Sequence, residues 1–468
     1  MICFLAASAL MASLSSAFVP QIGSSAAFHK RTNGFSVKST TEDVTENKDF
    51  NVVFRPSEVD DKFDSFKIGG ARVHRYPGGV DGGESEYTMW YHGRSKAAPM
   101  TGEESNENLA PLSTGRIGMA YSRNGLAWER QKEGSKSEDM KGVALGLNRE
   151  SWWAFDTAHC GLGQVLLPMS TPAIMSDSGV YLMYYMGGNY EEEPLSQYLV
   201  SGDEDAKIKG MRMKIGVALS QDGKTWGRIE GDDHTGAVMV PYDKEAENNE
   251  NIIRDDDSSV LNIDEELYCG WPEVVVANTD ANEDKNRSKK KNKAWGFFMF
   301  YSTMLKHTKE KAIACAVSMD GFRWEKRGVC LLPDTNDISA MDCRGVARCN
   351  VNKRAFFDED AEEWTFTDGW TMLYEGVAED GKHRIMEAES EDGRTWTKTG
   401  LVLDIGDDDA WDCNGVGSPH ILRMDDGDTR MYYTGVGSDG STAIGVAKKG
   451  ADGGIWTREK AQFTFSEV

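Results

Sequence analysis

The feature that most constrains this chain is a hairpin phrase that recurs five times. In each copy an apolar–polar alternation leads into Asn-Gly or Asp-Gly, and a tryptophan follows. The copies are IGMAYSRNGLAW (117–128), IGVALSQDGKTW (215–226), IACAVSMDGFRW (313–324), IMEAESEDGRTW (385–396) and, loosely, IGVAKKGADGGIW (444–456). This pattern predicts a strand entering a tight turn, because Asn, Asp and Gly accept the positive φ that such turns need. Five copies of one unit predict a repeat architecture.

Two further phrases precede each hairpin. The nearer one is an aromatic strand that ends in tyrosine and small or polar residues, as in YTMWYHG (87–93) and RMYYTG (430–435). The farther one opens the unit and is most alike in FDTAHCGLGQV (155–165) and WDCNGVGSPHI (411–421). Each unit therefore contains four short strands, and five such units predict an all-β, five-bladed β-propeller.

The predicted propeller domain covers residues 50–468, and FNVVF (50–54) is a candidate strand for closing the ring. The predicted blades span about 62–135, 150–232, 262–330, 340–400 and 410–460. The composition agrees with this architecture, because 49 glycines, 13 tryptophans and 15 tyrosines are typical of a β-rich chain with many tight turns.

Charge and cysteine content argue against several function classes. A net charge of −24 repels phosphate backbones, so we expect no nucleic-acid partner. The basic run KKKNK (289–293) lies in a polar stretch that we interpret as a solvated loop. After Cys3 seven cysteines remain, an odd number that argues against a complete disulfide framework, although Cys343 and Cys349 could pair. No long apolar run follows the leader, so no transmembrane segment is expected.

The N-terminus carries signs of targeting. Residues 1–17 have an apolar core and small residues before a possible cut, as signal peptides do. The following segment, predicted as a transit peptide over 18–45, begins Ser-rich and basic. SSAFVP (15–20) resembles the ASAFAP motif of algae with complex plastids, such as diatoms, with Val19 departing from it. The resemblance implies import into the plastid by a bipartite presequence; the alternative is ordinary secretion.

Alignment of the five units on GSPHI (417–421) gives two columns of polar residues. Seven residues before the proline position stand Asp64, Asp156, Glu265, Asp342 and Asp412. They predict either a carboxylate rim at the mouth of a funnel or a turn cap at each blade entrance. Asp156 is the stronger functional candidate, because Trp152 and Trp153 nearby could stack on a sugar ring, or else pack within the blade.

The second column stands one residue after the proline position. It contains Arg72, Gln164, Glu273, Asn350 and His420. Period-2 alternation places these side chains on one face, toward the channel if the strand is innermost. Because a structural repeat has no reason to vary its chemistry in this way, the column predicts a binding pocket. Arg72 could hold an anionic or hydroxyl-rich ligand, and His420 could bind an ion or form a hydrogen bond within the channel.

The five blades, with Y-x-G strands and I-G-x-A-x-S-x-D-G-x-x-W hairpins, resemble the arabinanase/levansucrase/invertase superfamily of five-bladed propeller glycosidases over about residues 60–460. The resemblance implies a funnel lined by inner strands, with an aspartate base on the first blade and a glutamate acid on the third. It also implies that calcium or another ion could occupy the channel, and that no organic cofactor is needed. Gly270 and Gly417 stand where the acid usually precedes proline, and Ala71 and Arg72 where Asp-Pro is common.

Glycoside hydrolysis needs two carboxylates that flank the scissile bond. We therefore nominate Glu273 as the acid and Asp156 or Asp64 as the base. The proposed ligand-binding set is Arg72, Gln164, Asn350, His420, Trp152, Trp153, Asp342 and Asp412. The expected function is that of a glycoside hydrolase-like plastid propeller that acts on or binds a carbohydrate in its funnel. The alternative is a catalytically inactive propeller that binds a glycan or a protein.

Overall fold

The structure is a computed structural model that describes residues 49–78, 85–95, 108–110, 113, 115–132, 142–169, 179–199, 205–244, 264–277 and 296–461. The predicted presequence (1–17 and 18–45) and the KKKNK run (289–293) lie outside the described residues. Within the described part, no helix is long and apolar enough to cross a membrane.

Five antiparallel sheets form a five-bladed β-propeller, which confirms the predicted fold. In blade 1 the strands are β2 (Lys67–Tyr76), β3 (Glu86–Arg94), β4 (Gly115–Ser122), β5 (Glu129–Arg130) and β6 (Val143–Leu145), and a short strand β1 (Val52–Phe54) precedes them. In blade 2 they are β7 (His159–Met169), β8 (Val180–Gly188), β11 (Lys214–Ser220) and β12 (Gly227–Ile229). A small hairpin of β9 (Glu192–Pro194) and β10 (Lys207–Lys209) and one 3-10 turn (Leu195–Gln197) lie between β8 and β11.

The other three blades follow the same plan. Blade 3 contains β13 (Gly270–Val276), β14 (Phe297–Met304), β15 (Lys311–Ser318) and β16 (Glu325–Leu331). Blade 4 contains β17 (Gly345–Asp358), β18 (Glu363–Val377), β19 (His383–Ser390) and β20 (Thr397–Leu403). Blade 5 contains β21 (Gly415–Arg423), β22 (Thr429–Val436), β23 (Thr442–Lys449) and β24 (Thr457–Arg458). The first strand of each sheet, namely β2, β7, β13, β17 or β21, is the innermost one.

The ring is closed by the strand that comes first in the sequence. β1 pairs antiparallel with β23 of blade 5, with Val52 opposite Gly445. This confirms the closing role expected for residues 50–54. Asn51 fastens the junction, because its side-chain amide donates to the Tyr433 hydroxyl at 2.7 Å and its side-chain oxygen accepts from the Trp411 indole at 2.9 Å. Closure therefore joins the first and last parts of the propeller.

The recurring hairpin phrase also connects neighbouring blades. In the second copy, Ser220 Oγ accepts the backbone N–H of Gly223 at 2.8 Å, and Gly223 has a φ of 71° that favours glycine. The carbonyl of Gly223 accepts a hydrogen bond at 3.0 Å from the Trp90 indole of blade 1. Tyr184 of blade 2 donates to Gly321 of blade 3 in the same way, at 2.9 Å. The turn thus shapes its own blade and accepts a hydrogen bond from the aromatic strand of the preceding blade.

All five innermost strands have a break in their strand pairing at an equivalent position. A register shift or β-bulge lies directly before the second polar column in β2, β7, β13, β17 and β21. Four bulge residues have positive φ, namely Gly70, Trp271, Arg348 and Ser418. Bulges re-aim side chains and often lie beside binding sites. Here the bulge residues line a cavity, which we call the funnel, and the column residues lie two positions farther along each strand.

Candidate functional site

The second column converges on one carboxylate. Glu273 is completely buried, and its Oε1 accepts hydrogen bonds from Gln164 Nε2 at 3.1 Å, Asn350 Nδ2 at 2.8 Å and the Val351 N–H at 3.2 Å. Its Oε2 accepts from Arg72 at 3.2 Å. His420 lies in the same layer, where its Nε2 is 3.0 Å from the carbonyl oxygen of Val73. Four of these side chains thus meet in one hydrogen-bonded network, and His420 is buried beside them. We call the five residues the channel plug.

The plug is a closed network rather than an open pocket. All five side chains are buried, and both oxygens of Glu273 already accept hydrogen bonds from protein donors. Their chemical variety is explained by complementarity, since one acidic acceptor is surrounded by different donors. This geometry corrects the pocket interpretation of Arg72, Gln164, Asn350 and His420. It also places Glu273 within this network, with both carboxylate oxygens hydrogen-bonded to protein donors.

Burial perturbs the titrating groups of the plug. It raises the pKa of Glu273 to about 7, although Arg72, the Val351 N–H, Asn350 and Gln164 oppose the rise. Burial and the nearby Arg72 charge lower the pKa of His420 to about 3, so this imidazole is neutral at pH 7. Among the described residues, no group of three or more His, Cys, Asp or Glu side chains could hold a metal. A channel ion remains a prediction.

The first column forms a repeated structural contact. Each aspartate accepts hydrogen bonds from the tyrosine of the second strand and from a basic residue of the outer strand. Asp156 Oδ2 lies 3.0 Å from the Tyr185 hydroxyl and 2.7 Å from Arg228 Nε. The equivalent sets are Asp64 with Tyr91 and Arg130, Asp342 with Tyr374 and Lys398, and Asp412 with Tyr433 and Arg458. We call these sets the blade clamps.

Blade 3 builds its clamp from the neighbouring glutamate. Glu266, and not Glu265, accepts from the Tyr301 hydroxyl at 2.7 Å and pairs with Lys326. Glu265 instead contacts Lys306 at 3.0 Å and His307 at 2.9 Å. The alignment was therefore wrong by one residue in this blade, because adjacent glutamates made the two registers look equivalent.

The blade clamps correct the interpretation of the first column as a catalytic rim. Asp64 and Asp156 are completely buried, and each is tied to an arginine of its own blade, so neither is placed as a free base. The sequence did contain a signal for this role. A basic residue follows each hairpin tryptophan by two positions, as in Trp128 and Arg130 or Trp226 and Arg228.

The two nominated tryptophans lie on the surface of blade 2. Trp152 is 82% exposed and Trp153 is 50% exposed, and their rings meet edge to face at 5.9 Å. They therefore do not pack inside the blade. Trp153 lines a cavity of about 570 Å³ whose described lining, which includes Asp156 and Arg228, belongs to the sequence around blade 2 alone. This cavity is separate from the channel, and sugar stacking there remains a prediction.

The funnel above the plug receives residues from all five blades. A cavity of about 50 Å³ lies there, and its described lining is Lys67, Ile68, Gly69, Gly70, His92, Arg94, Gly161, Leu162, Met186, Trp271, Arg348, Ser418 and Thr434. No carboxylate belongs to this set. The sequence reasoning nominated none of these residues, because their position depends on the bulges and no local pattern marks a bulge here.

Arg348 organises the wall of the funnel. Its guanidinium lies over the Trp271 ring at 4.6 Å and donates to Glu375 Oε1 at 3.2 Å and to Ser418 Oγ at 3.4 Å. Glu375 is completely buried behind this wall, and His383 Nδ1 lies 2.9 Å from its Oε2. Burial alone would raise the Glu375 pKa, but Arg348, His383 and the Ser418 N–H lower it to about 2. Glu375 is therefore an ionised support and not a proton donor near pH 7.

Comparison with known proteins finds structures with the same fold but no matching sequence. No protein-family profile matches the sequence, and no curated protein sequence matches it. A solved structure of a complex described by the names BT0996 and RGII is 18% identical, with a TM-score of 0.50 over 90% of this protein and 97% of the other. One described as "Glycoside hydrolase" is 17% identical, with a TM-score of 0.50 over 89% of this protein and 95% of the other.

A third structure comes from work on "the GH130 family of mannoside phosphorylases". It is 13% identical, with a TM-score of 0.50 over 88% of this protein and 95% of the other. These structures therefore share the fold of this protein. At these identities the likeness extends to architecture, and the chemistry has to be argued from the site itself.

Proposed function

We propose that this protein binds a carbohydrate in its central funnel and does not hydrolyse it by the two-carboxylate route. One observation carries the proposal: the funnel is lined from all five blades and joins the half-buried Trp271 to fixed donors such as Arg348 and Arg94. Saccharides present apolar C–H faces beside hydroxyl groups. A wall that combines an aromatic ring with hydrogen-bond donors matches both.

The central carboxylates support binding over hydrolysis. A glycosidase needs one carboxyl group that donates a proton and a second that activates water or attacks. Glu273 is enclosed by the plug, and Glu375 is held by Arg348 and His383. We expect no product release when the mature protein is incubated with aryl glycosides and with α- and β-linked oligosaccharides. Turnover that disappears in Glu273→Gln would contradict this part of the proposal.

A pair of tryptophan variants tests where the carbohydrate binds. Isothermal titration calorimetry with an oligosaccharide panel should show binding to the parent protein and none to Trp271→Ala. Trp153→Ala is the matched control, because it removes an exposed tryptophan from the cavity of blade 2. Loss of binding in Trp153→Ala with full binding in Trp271→Ala would move the site to that cavity. Failure of every oligosaccharide to bind the parent would remove the proposed function.

We further propose that the protein works in the plastid. The support is the order of signal-like and transit-like segments and the SSAFVP motif at 15–20. A fusion of residues 1–45 to a fluorescent protein in a diatom should be found in the plastid. Phe18→Ala should divert the fusion, since the resemblance of SSAFVP to the ASAFAP motif implies that the signal peptide is cut before this phenylalanine. Secretion of the unchanged fusion would favour the alternative.

A further inference from the structure

Two basic side chains of blade 1, Lys67 and Arg94, reach the funnel cavity together. Lys67 of β2 and Arg94 of β3 are directly opposite in the strand pairing. Both are buried, at 5% and 4% exposure, and both line the funnel cavity. Their shared position brings two basic groups of blade 1 to one small cavity.

A third basic side chain, Arg348, reaches the same cavity from blade 4. It lies close enough to Arg94 for the two charges to affect each other. Burial and the Arg348 charge lower the pKa of Arg94 to about 10. Burial and the Arg94 charge lower the pKa of Lys67 to about 6, while Asp439 acts in the opposite direction. The lining thus brings three basic side chains together, of which Lys67 is largely uncharged at pH 7 until a bound anion favours its protonation, and Arg348 is paired with the ionised Glu375.

Uncharged donors complete the lining. Ser418 and Thr434 bring hydroxyl groups, and His92 brings an imidazole whose Nδ1 is buried and makes no hydrogen bond to any described residue. Burial and the charges of Arg94, His159 and Arg348 hold the His92 pKa well below its usual range. His92 is therefore a neutral ring that can donate from one nitrogen. A cavity of about 50 Å³ admits a group of a few heavy atoms, since one water needs roughly 10–15 Å³ by the same measure.

From this juxtaposition we propose that the ligand is a saccharide with an anionic substituent, which enters the funnel cavity between Lys67, Arg94 and Arg348. The substituent is a sugar carboxylate or a sulfate or phosphate ester, all of which offer oxygens to charged donors. The sugar ring then lies against Trp271 at the cavity mouth. This inference rests on the proposed function, because it names the class of ligand that the same site takes.

Calorimetry on the mature protein separates the possible sources of the anionic group. The probes are an oligogalacturonate, a sulfated oligogalactan, a neutral oligogalactan of equal length, and inorganic sulfate and phosphate alone. An acidic oligosaccharide should bind at least about tenfold more tightly than the neutral one, as charge-assisted hydrogen bonds allow. Equal affinity for acidic and neutral oligosaccharides would overturn the inference while leaving the proposed function in place.

Two variants and a control connect the preference to the cavity. Arg94→Met and Lys67→Met should each reduce the preference for the acidic oligosaccharide by about tenfold and spare binding of the neutral one. Arg75→Met is the control, because Arg75 lies on the same strand as Lys67 but outside the described cavity lining, where it pairs with Asp425. Unchanged preference in a folded Arg94→Met or Lys67→Met variant overturns the inference. If either variant fails to fold, the comparison of probes on the parent protein still decides it.

The remaining outcomes separate the two proposals. If only inorganic sulfate or phosphate binds, and Arg94→Met removes that binding, the anion cavity is supported and the carbohydrate function fails. If neither oligosaccharide nor anion binds the parent, both proposals are overturned. Binding of the neutral oligosaccharide alone supports the proposed function and contradicts the anionic substituent.

Discussion

The clearest quantitative prediction concerns Glu273 at the centre of the plug. Its pKa is raised from 4.5 to about 7 in the folded protein, so the folded state holds a proton more tightly than the unfolded chain does. The stability that this proton contributes is fully present below pH 4.5. It is lost as the pH rises through about 7, because the buried carboxylate must then ionise.

The magnitude follows from the size of the shift. One pKa unit corresponds to about 1.4 kcal/mol. The Glu273 shift therefore makes the folded state about 3 kcal/mol less stable at pH 8 than at pH 4.5, compared with a protein that has no titrating group at position 273. Glu273→Gln provides that reference. The unfolding free energy of the parent minus that of Glu273→Gln should therefore decrease by about 3 kcal/mol between pH 4.5 and pH 8. Groups that titrate in both proteins cancel in the difference.

Urea unfolding followed by tryptophan fluorescence measures this difference at several pH values. Glu375→Gln is the matched control, because the lowered Glu375 pKa of about 2 contributes stability above pH 4.5 that is lost only as the pH falls toward 2. Its difference from the parent should stay constant between pH 7 and 8, where the neighbouring His383, whose pKa is lowered from 6.5 by burial, is neutral. A constant or rising difference for Glu273→Gln between pH 4.5 and 8 would refute the account of the plug.

Three further predictions concern the clamps, the ring closure and the funnel. Asp156→Asn and Asp412→Asn should each lower the unfolding free energy by about 3 kcal/mol, as loss of one partner of a buried pair does; a selective loss of ligand binding in Asp156→Asn would contradict a structural clamp. Deletion of all residues up to the end of β1 (Val52–Phe54) should expose the edge of β23 and cause self-association, which light scattering measures. A monomeric deletion variant would count against closure of the ring by β1. Binding of an acidic oligosaccharide should strengthen from pH 8 to pH 6, because the lowered Lys67 pKa couples binding to proton uptake; an affinity constant over this range would argue against that coupling.

The blades could be predicted from the sequence because their signals are local. Turn chemistry around residues such as Asp222 and Gly223 and the alternation before them need only neighbouring positions. The same alternation predicted that the second column shares one face, and the structure brings four of its members into one network. What it could not show is the closure of the plug, since Arg72 and Glu273 lie 201 residues apart and meet only when the ring forms.

The clamps and the funnel were missed for different reasons. The spacing between the hairpin tryptophan and the basic clamp residue, as in Trp226 and Arg228, is visible in the sequence. The pairing of Arg228 with Asp156, however, depends on how the outer strand lies against the start of the blade. The funnel residues have no periodic signal. Trp271 and Arg348 face the cavity because a bulge rotates them away from the regular alternation, and that rotation depends on the whole ring.

The measurement that tests the central claim most directly is a crystal structure of the mature protein with the oligogalacturonate bound. The account predicts electron density for a sugar ring against Trp271, with its carboxylate between Lys67 and Arg94. Density for the saccharide in the cavity beside Trp153, with the funnel unchanged, would contradict it.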